Sequence, residues 1–261
     1  MAEALYDSVI ADFYDTSPLV ASRTQDRDFY LAAARNFGSP ILELGCGTGR
    51  ISAPLAQAGH RVTGLDISEK MLRRAEQKRA SLPSEQRGHW RLVQGDMTNF
   101  DLQEYFALII VPFRPFQHLL NIPEQLSCLA CARRHLQRGG RLILDFFQTD
   151  AARMHDVDFL KEHTVADYEI AAGRRVRLTE RTTAFHRATQ CNDVEMAFTV
   201  TGPGGEQSRN VFAFTIRYFF RYEVEHLLAR AGFRVLELFG DFNGSPLRDD
   251  SPEMIFVAAA A

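Results

Sequence analysis

Glu43-Leu-Gly-Cys-Gly-Thr-Gly49 is the stretch of sequence that decides the fold. It overlaps Ile41-Leu-Glu-Leu44, a short apolar run that predicts a buried β-strand. A helical stretch over residues 50–58 follows and stops at Gly59. Glycines at a strand-to-helix turn let the backbone bend sharply and approach a ligand closely. Because open α/β sheets bind ligands at the carboxyl ends of their strands, this stretch predicts a nucleotide-like ligand at the turn.

The alternation of strand and helix continues away from this turn. Apolar runs predict further strands at residues 61–65, 90–94, 106–111, 141–147, 233–239 and 254–258. Helical patterns lie between them at residues 69–80, 123–137 and 222–230, and Ser68 is placed to cap the first of these. Strands that are apolar without a break predict a sheet covered on both faces. We expect an α/β fold with a Rossmann-like, seven-stranded, mostly parallel sheet and helices on both faces.

Two segments lie outside this pattern. Residues 1–39 have amphipathic helical spacing and predict a helical N-terminal cap. Residues 151–220 contain two runs of strict alternation, at 194–200 and 212–218, joined by a glycine-rich turn at 201–205. Such alternation is typical of half-exposed antiparallel strands. We therefore expect a single domain over residues 1–261, with a cofactor-binding core at 40–150 and 221–261 and a β-rich, substrate-covering insertion at 151–220.

Composition excludes several classes of function. The chain has 261 residues, of which 46% are hydrophobic and 24% charged, as in ordinary globular proteins. A net charge of −3 gives no general attraction to nucleic acid or to anionic lipid. The longest apolar run, residues 106–113, is too short to span a bilayer, and the first residues lack the layout of a secretion signal.

Four cysteines are few for a secreted disulfide scaffold of this length and indicate a reducing cytoplasm. Cys128 and Cys131 have the spacing of a metal or redox pair, but no second pair accompanies them. They lie one turn apart in a helical pattern, so we interpret them as small buried residues. No metal site is predicted.

Two acidic residues narrow the ligand. Asp66 ends the second strand about twenty residues after the glycine turn, where a carboxylate accepts hydrogen bonds from ribose hydroxyls. Asp96 ends the third strand and offers a carboxylate to an exocyclic amine, and Met97 offers a thioether to a base. A dinucleotide fingerprint would need glycine at Arg50, and no lysine follows as in a phosphate-binding loop. The set favours adenosine without phosphate as the ligand. The alternative is purely structural: the glycines can serve only the tight turn, and Asp66 can serve only to cap the next helix.

These motifs resemble the class I S-adenosylmethionine-dependent methyltransferases of the small-molecule subgroup. The resemblance rests on Ile41–Arg50, Val62–Ser68, Gly95-Asp-Met97, Leu136–Leu142 and Ala231-Gly-Phe233. It implies S-adenosylmethionine as cofactor and an enzyme that methylates a small molecule. The cofactor residues implied by the resemblance are Glu43, Gly45, Cys46, Gly47, Gly49, Asp66, Ile67, Asp96, Met97, the backbone at Val111, and Tyr14 as an aromatic lid residue.

The acceptor side is encoded less clearly. Methyl transfer is an in-line displacement in which proximity supplies much of the effect, and only a hydroxyl acceptor gains from a general base. His118 is the candidate base, with a structural role in a local turn as the alternative. Enzymes that methylate nucleobase amines or protein amides often carry Asn/Asp-Pro-Pro-Tyr/Phe after the fourth strand, whereas this chain has Val111-Pro-Phe-Arg114. The candidate substrate contacts are Tyr6, Arg114, Gln117, Arg217 and Tyr218.

The sequence thus predicts methyl transfer to an oxygen or nitrogen of a small metabolite in the cytoplasm, with no nucleic-acid or membrane partner. Two alternatives remain at this point: another reaction of the same cofactor, such as cyclisation or aminopropyl transfer, and a non-catalytic cofactor-binding module. A nicotinamide-dependent reductase ranks lower, because the glycine spacing does not fit it. The β-rich insertion also offers a surface for a homodimer.

Overall fold

A computed structural model describes residues 10–150, 156–170 and 173–261. The described residues form two sheets. The strands of the larger sheet are β1 (Ile41–Leu44), β2 (Val62–Asp66), β3 (Trp90–Gln94), β4 (Phe106–Val111), β5 (Leu136–Phe147), β10 (Phe233–Phe239) and β11 (Glu253–Ala260). The strands of the smaller sheet are β6 (His163–Ile170), β7 (Arg174–His186), β8 (Cys191–Thr201) and β9 (Gln207–Arg217).

The larger sheet has seven strands in the order β10-β11-β5-β4-β1-β2-β3 among the described residues. The pairs β1–β2, β2–β3, β1–β4 and β4–β5 are parallel, whereas β11 is antiparallel to both of its neighbours. The chain order reverses between β1 and β4, which is where open α/β sheets bind their ligands. The predicted Rossmann-like, mostly parallel sheet is confirmed.

Helices cover both faces of this sheet. The helices are α1 (Ile10–Phe13), α2 (Pro18–Ala21), α3 (Gln25–Phe37), α4 (Ser52–Gln57), α5 (Glu69–Ala80), α6 (Ser84–Gly88), α7 (Ile122–His135) and α8 (Arg221–Arg230). Apolar residues of α7 and α8 fill the core on one face, and those of α3, α4 and α5 fill the core on the other. The order of sheet and helices places the carboxyl ends of β1, β2, β3 and β4 at one edge.

The smaller sheet is antiparallel throughout and lies in the chain between β5 and α8. Its apolar face packs on the N-terminal helical segment, where Phe13 and Phe198 have ring centroids 5.3 Å apart. Met71 of α5 belongs to the same apolar cluster. The inserted sheet therefore lies over the N-terminal segment and over one of the helices that flank the glycine turn.

The structure extends the sequence predictions in two places. Sequence alternation identifies only β8 and β9 of the four inserted strands, because β6 and β7 carry many charged residues that obscure their pattern. Helix α7 ends at His135, two residues earlier than predicted, and β5 begins at Leu136. Leu136 pairs with Phe106 of β4, and this ladder contact extends the strand at the expense of the helix.

Candidate active site

A cavity of about 480 Å³ lies at the carboxyl ends of the central strands. Segments that follow β1, β2, β3 and β4 form its walls, and Tyr14 of the N-terminal segment closes one side. Eight of the predicted site residues line it: Tyr14, Gly45, Gly47, Asp66, Ile67, Asp96, Met97 and His118. The structure therefore brings residues from five separate sequence segments to one place.

The glycine turn makes close backbone approach possible. Gly45, Gly47 and Gly49 have φ angles of 69°, 56° and 77°, in the left-handed region that other residues rarely adopt. A Cβ atom at Gly45 would lie 2.6 Å from Cβ of Pro115, so the turn touches the segment after β4. Only glycine permits this contact, which brings the turn after β1 against the segment after β4.

Asp66 is held by main-chain donors. Its Oδ2 accepts a hydrogen bond from Gly47 N at 2.7 Å and its Oδ1 accepts one from Ser68 N at 2.9 Å. Each carboxylate oxygen has two lone pairs, so the group can orient the glycine turn and still accept from a ligand. The carboxylate thus has the helix-start role that the sequence offered as one alternative, and its binding of ribose remains a prediction.

Asp96 lies one strand further along the same edge. Its Oδ1 accepts from Thr98 N at 2.7 Å and from the Thr98 hydroxyl at 2.8 Å, which fixes the carboxylate beside Met97. Ile67, after β2, lines the cavity as well. These three side chains supply an acceptor and two apolar surfaces, which suits a flat base carrying an amine.

Four predicted cofactor residues lie outside the cavity lining. Glu43 is buried and accepts a hydrogen bond from the Ser52 hydroxyl. Burial raises the pKa of Glu43 to about 8, partly opposed by the Ser52 hydrogen bond. Cys46 is buried, with its Cβ and Sγ against Gly64, while Gly49 faces the Trp90 indole and Val111 is buried in β4. Contact of these four residues with the cofactor remains a prediction, and in this structure they make the buried contacts just described.

The segment after β4 begins with two residues in the left-handed region. Phe113 and Arg114 have φ angles of 62° and 70°, a conformation that costs about 1–2 kcal/mol per non-glycine residue. Asp145 offsets part of this cost by binding the main chain of the segment. Its Oδ2 accepts a hydrogen bond from Phe113 N at 3.0 Å and one from the Tyr30 hydroxyl at 2.5 Å. Arg114 pairs with the buried Glu253 at 2.5 Å. These contacts hold Phe113 in the cavity wall.

His118 lies in a 3-10 turn, Pro115–His118, and lines the cavity. Its ring is 5.7 Å from the ring of Phe214 on β9, and it has a hydrogen bond with the Thr215 main chain. Desolvation lowers the pKa of His118 to about 4, partly opposed by that hydrogen bond. The imidazole is neutral at pH 7, and a group with so low a pKa is a weak general base.

The remaining predicted substrate contacts lie away from the cavity lining. Gln117 is fully buried and its Nε2 donates to Arg217 O at 2.7 Å. Arg217 pairs with Glu223 at 2.7 Å, and Tyr218 is buried just after β9 ends. Arg114 is engaged by Glu253, as described above, and Tyr6 lies outside the described residues. Their contact with a substrate remains a prediction.

Sequence reasoning missed part of the lining. The cavity also contains Met71, Thr98, Phe113, Pro115, Leu119, Leu120, Asn121 and Glu124. Five of these eight belong to the segment between β4 and α7, which has no glycine-rich or acidic signature, and Glu124 lies in the first turn of α7. The position of this segment after a central strand was the available signal, since ligands bind at such strand ends.

Three further features were sought in the described residues. No group of three or more His, Cys, Asp or Glu side chains there has the arrangement of a metal site. The four cysteines are buried and free. No described helix combines the length and apolar character that crossing a membrane requires.

Comparison with known proteins finds a family match over part of this chain. Residues 41–140 match the family described as a methyltransferase domain. A demethylmenaquinone methyltransferase of Tropheryma whipplei (strain Twist) is 34% identical over 139 residues, which are 52% of this chain. The match spans about half the length of that relative, 54%.

Other similarities extend over nearly the whole chain. Cypemycin N-terminal methyltransferase from Streptomyces sp is 26% identical over 97% of both proteins. A dTDP-3-amino-3,4,6-trideoxy-alpha-D-glucopyranose N,N-dimethyltransferase of Streptomyces venezuelae is 27% identical over 91% of this chain and 88% of that protein. The solved structure of the CcbJ methyltransferase from Streptomyces caelestis superposes with a TM-score of 0.79, at 25% identity, over 98% of both chains.

The matched segment contains the glycine turn, Asp66 and Asp96, which are the residues that define the cavity. The resemblance to S-adenosylmethionine-dependent methyltransferases that the sequence predicted is confirmed by the matched domain and by the similar proteins. The cradle at Gly45 and the Asp66 carboxylate that orients the glycine turn fit the adenosine part of S-adenosylmethionine, the cofactor that this resemblance implies.

Proposed function

We propose that this protein transfers the methyl group of S-adenosylmethionine to an amine nitrogen of a small-molecule acceptor. The charge of the cavity carries this proposal. Among the described residues that line it, the formally charged side chains are Asp66, Asp96 and Glu124, all acidic, and no lysine or arginine is present. Such a lining attracts an amine in its cationic form, which gives one proton to solvent before its lone pair attacks, and disfavours an anionic group near the reacting atom.

The chemistry of His118 supports the same acceptor. A neutral amine attacks the methyl carbon without help, whereas a hydroxyl benefits from a base whose pKa lies near the working pH. His118, with a pKa lowered to about 4 by desolvation, is poorly suited to that task. Of the relatives named above, one is by name an N-terminal methyltransferase and another is by name an N,N-dimethyltransferase of an amino sugar. Both observations favour nitrogen over oxygen.

The chain's own residues have separable tasks in this reaction. S-adenosylmethionine supplies an electrophilic methyl group on a sulfonium. Asp66 and Asp96 would hold the adenosine part and Tyr14 would cover it from the N-terminal segment, since all three line the cavity. Phe113 and Leu119 provide apolar walls that exclude water from the space beside the methyl group. Most of the rate enhancement then comes from proximity and alignment.

The experiment uses matched acceptors. The protein is incubated with methyl-deuterated S-adenosylmethionine and pairs of compounds that differ only by amine or hydroxyl, including amino sugars, amino acids and a short peptide. We expect a deuterated methyl group on amine members, with S-adenosylhomocysteine as co-product, measured by mass spectrometry. Preferential labelling of hydroxyl members would overturn the choice of nitrogen, and methylthioadenosine as the co-product would indicate cyclisation or aminopropyl chemistry instead.

His118→Asn separates the two acceptor classes. Loss of a general base lowers turnover by about 10²- to 10⁴-fold. Because an amine acceptor needs no base, we expect its methylation rate to fall less than about 10-fold in this variant. The pH profile of the amine reaction should show no inflection near 6.5, because His118 stays neutral there. An amine rate reduced more than 100-fold by this variant would restore His118 as the base.

We also propose the compartment and the partners of this reaction. The net charge of −3 and the buried, free cysteines support a cytoplasmic enzyme acting on a small molecule, without nucleic acid or a membrane as partner. The inserted sheet supports a covering role, because Phe214 contacts His118 at the cavity wall. The outer strands β6 and β9 offer edges for a homodimer, which light scattering tests directly.

A further inference from the structure

The end of β9 runs beside the segment after β4. Gln117 Nε2 donates to Arg217 O at 2.7 Å, and Arg217 Nη1 donates to Leu120 O at 3.3 Å. Between these two contacts His118 has its hydrogen bond with the Thr215 main chain. We name these five residues, Gln117, His118, Leu120, Thr215 and Arg217, the seam. It joins the inserted sheet to the cofactor-binding core along the cavity wall.

The guanidinium of Arg217 is the most connected group in the seam. Besides Leu120 O it donates to Thr189 O at 3.0 Å, to Gln190 Oε1 at 3.3 Å and to Glu223 Oε1 at 2.7 Å. The side chain is only 11% exposed. Charge-assisted hydrogen bonds of this kind are about twice as strong as neutral ones. One side chain thus connects the β7–β8 turn, the start of α8 and the segment after β4.

The location of the seam relates it to the site. His118, Leu119 and Leu120 line the cavity. The two hydrogen bonds with Arg217 are made by Gln117 and Leu120, on either side of His118 and Leu119. An unrestrained loop of this length would have to be ordered whenever an acceptor binds, at a cost in conformational entropy. Restraint at both ends removes that cost before binding.

We propose that Arg217 is a positioning residue that fixes the acceptor wall of the cavity by clamping residues 117–120 to the inserted sheet. Direct substrate contact of Arg217 stays a prediction, and in the structure its side chain is engaged with Leu120, Thr189, Gln190 and Glu223. Only the last readout below rests on the proposed function.

Two variants test the clamp and one serves as a matched control. Arg217→Gln removes the guanidinium but leaves the main-chain oxygen that Gln117 binds. Gln117→Leu removes the opposite contact while keeping a buried side chain of similar size. Arg181→Gln removes an arginine from the same sheet that pairs with Glu195 at 2.9 Å, away from the seam.

Hydrogen exchange measures the clamp without any acceptor. Gln117 N and Leu119 N donate to main-chain oxygens within the segment, at 3.0 and 3.1 Å, so their protection reports its opening. We expect exchange in residues 116–121 to accelerate about 10-fold in Arg217→Gln and in Gln117→Leu, and less than about 2-fold in Arg181→Gln. Exchange in the glycine turn, residues 43–49, should not change in any of them.

Binding and turnover complete the test. The dissociation constant for S-adenosylhomocysteine, measured by calorimetry, should change less than about 3-fold, while KM for an amine acceptor should rise about 10-fold. Unchanged exchange at 116–121 in both seam variants overturns the clamp, and so does equal acceleration in the Arg181→Gln control. If Arg217→Gln does not fold, Gln117→Leu decides. If no acceptor is methylated, the proposed function fails while the exchange data still decide the clamp.

Discussion

The two sides of the cavity are built in different ways. The proposed cofactor side consists of three short segments at strand ends: the glycine turn after β1, Asp66 and Ile67 at the end of β2, and Asp96 and Met97 after β3. The acceptor side consists of one longer segment after β4, held by contacts from β5, β9 and β11. A change on the first side should act locally, and a change on the second should act through distant partners.

Gly49→Ala should have the largest effect and tests the rigidity of the cofactor side. A left-handed φ costs an alanine about 1–2 kcal/mol, and its Cβ would overlap the buried Trp90 ring, which adds about 1–3 kcal/mol. We expect the free energy of unfolding, from urea titration, to fall by about 3 kcal/mol.

Gly59→Ala is the control for this loss. Gly59 has a φ of 88° and no neighbour within 4 Å of an added Cβ, so only the backbone cost of about 1 kcal/mol applies. Equal losses of unfolding free energy in the two variants would show that the packing of the glycine turn on Trp90 adds nothing to the backbone cost.

Asp66→Ala should have an intermediate effect, on cofactor affinity. It removes the predicted ribose acceptor and the partner of Gly47 N, and the loss of such hydrogen bonds costs about 1–3 kcal/mol. Calorimetry with S-adenosylhomocysteine should show a dissociation constant raised about 5- to 150-fold. The control Asp249→Ala removes the same charge outside the cavity lining and should bind normally. An unaltered dissociation constant in Asp66→Ala contradicts its assignment.

Glu124→Gln should have the smallest effect and tests the charge of the acceptor side. Glu124 Oε2 accepts from Leu120 N at 3.1 Å, and a glutamine retains an oxygen for that contact while losing the charge. Because Glu124 is exposed, we expect KM for a cationic amine to rise only about 2- to 5-fold, an effect that high salt should screen.

The matching control is Glu225→Gln on α8, where the acid pairs with Arg221 away from the cavity. Steady-state kinetics at low and high ionic strength compare the two variants. A rise in KM that is the same in both, or that persists at high salt, would remove the electrostatic argument for a cationic acceptor.

Much of the cofactor side could be predicted from sequence because its determinants are local. Ser68 caps α5 through its hydroxyl, which accepts from Met71 N at 3.1 Å, as the sequence predicted. The strand bounds of β1, β3 and β4 agree with the apolar runs. Gly45, Gly47 and Asp66 each follow directly from a strand end, so their meeting in one cavity follows from the parallel order of the strands.

The acceptor side required the structure because its determinants are distant in sequence. Asp145 holds Phe113, 32 residues away, and Gln117 binds Arg217, 100 residues away. No periodicity or spacing relates such residues. The low pKa of His118 likewise follows from burial at this wall and not from its neighbours in the chain.

The sequence by itself determined the α/β architecture, the glycine turn and the acids at the strand ends, because hydrophobic period, glycine backbone freedom and strand ends are local properties. The tertiary structure alone decided the charge and shape of the acceptor wall and the part that Arg217 plays beside it. The physical reason is that burial, hydrogen-bond pairing and electrostatic environment arise only when separate segments pack together.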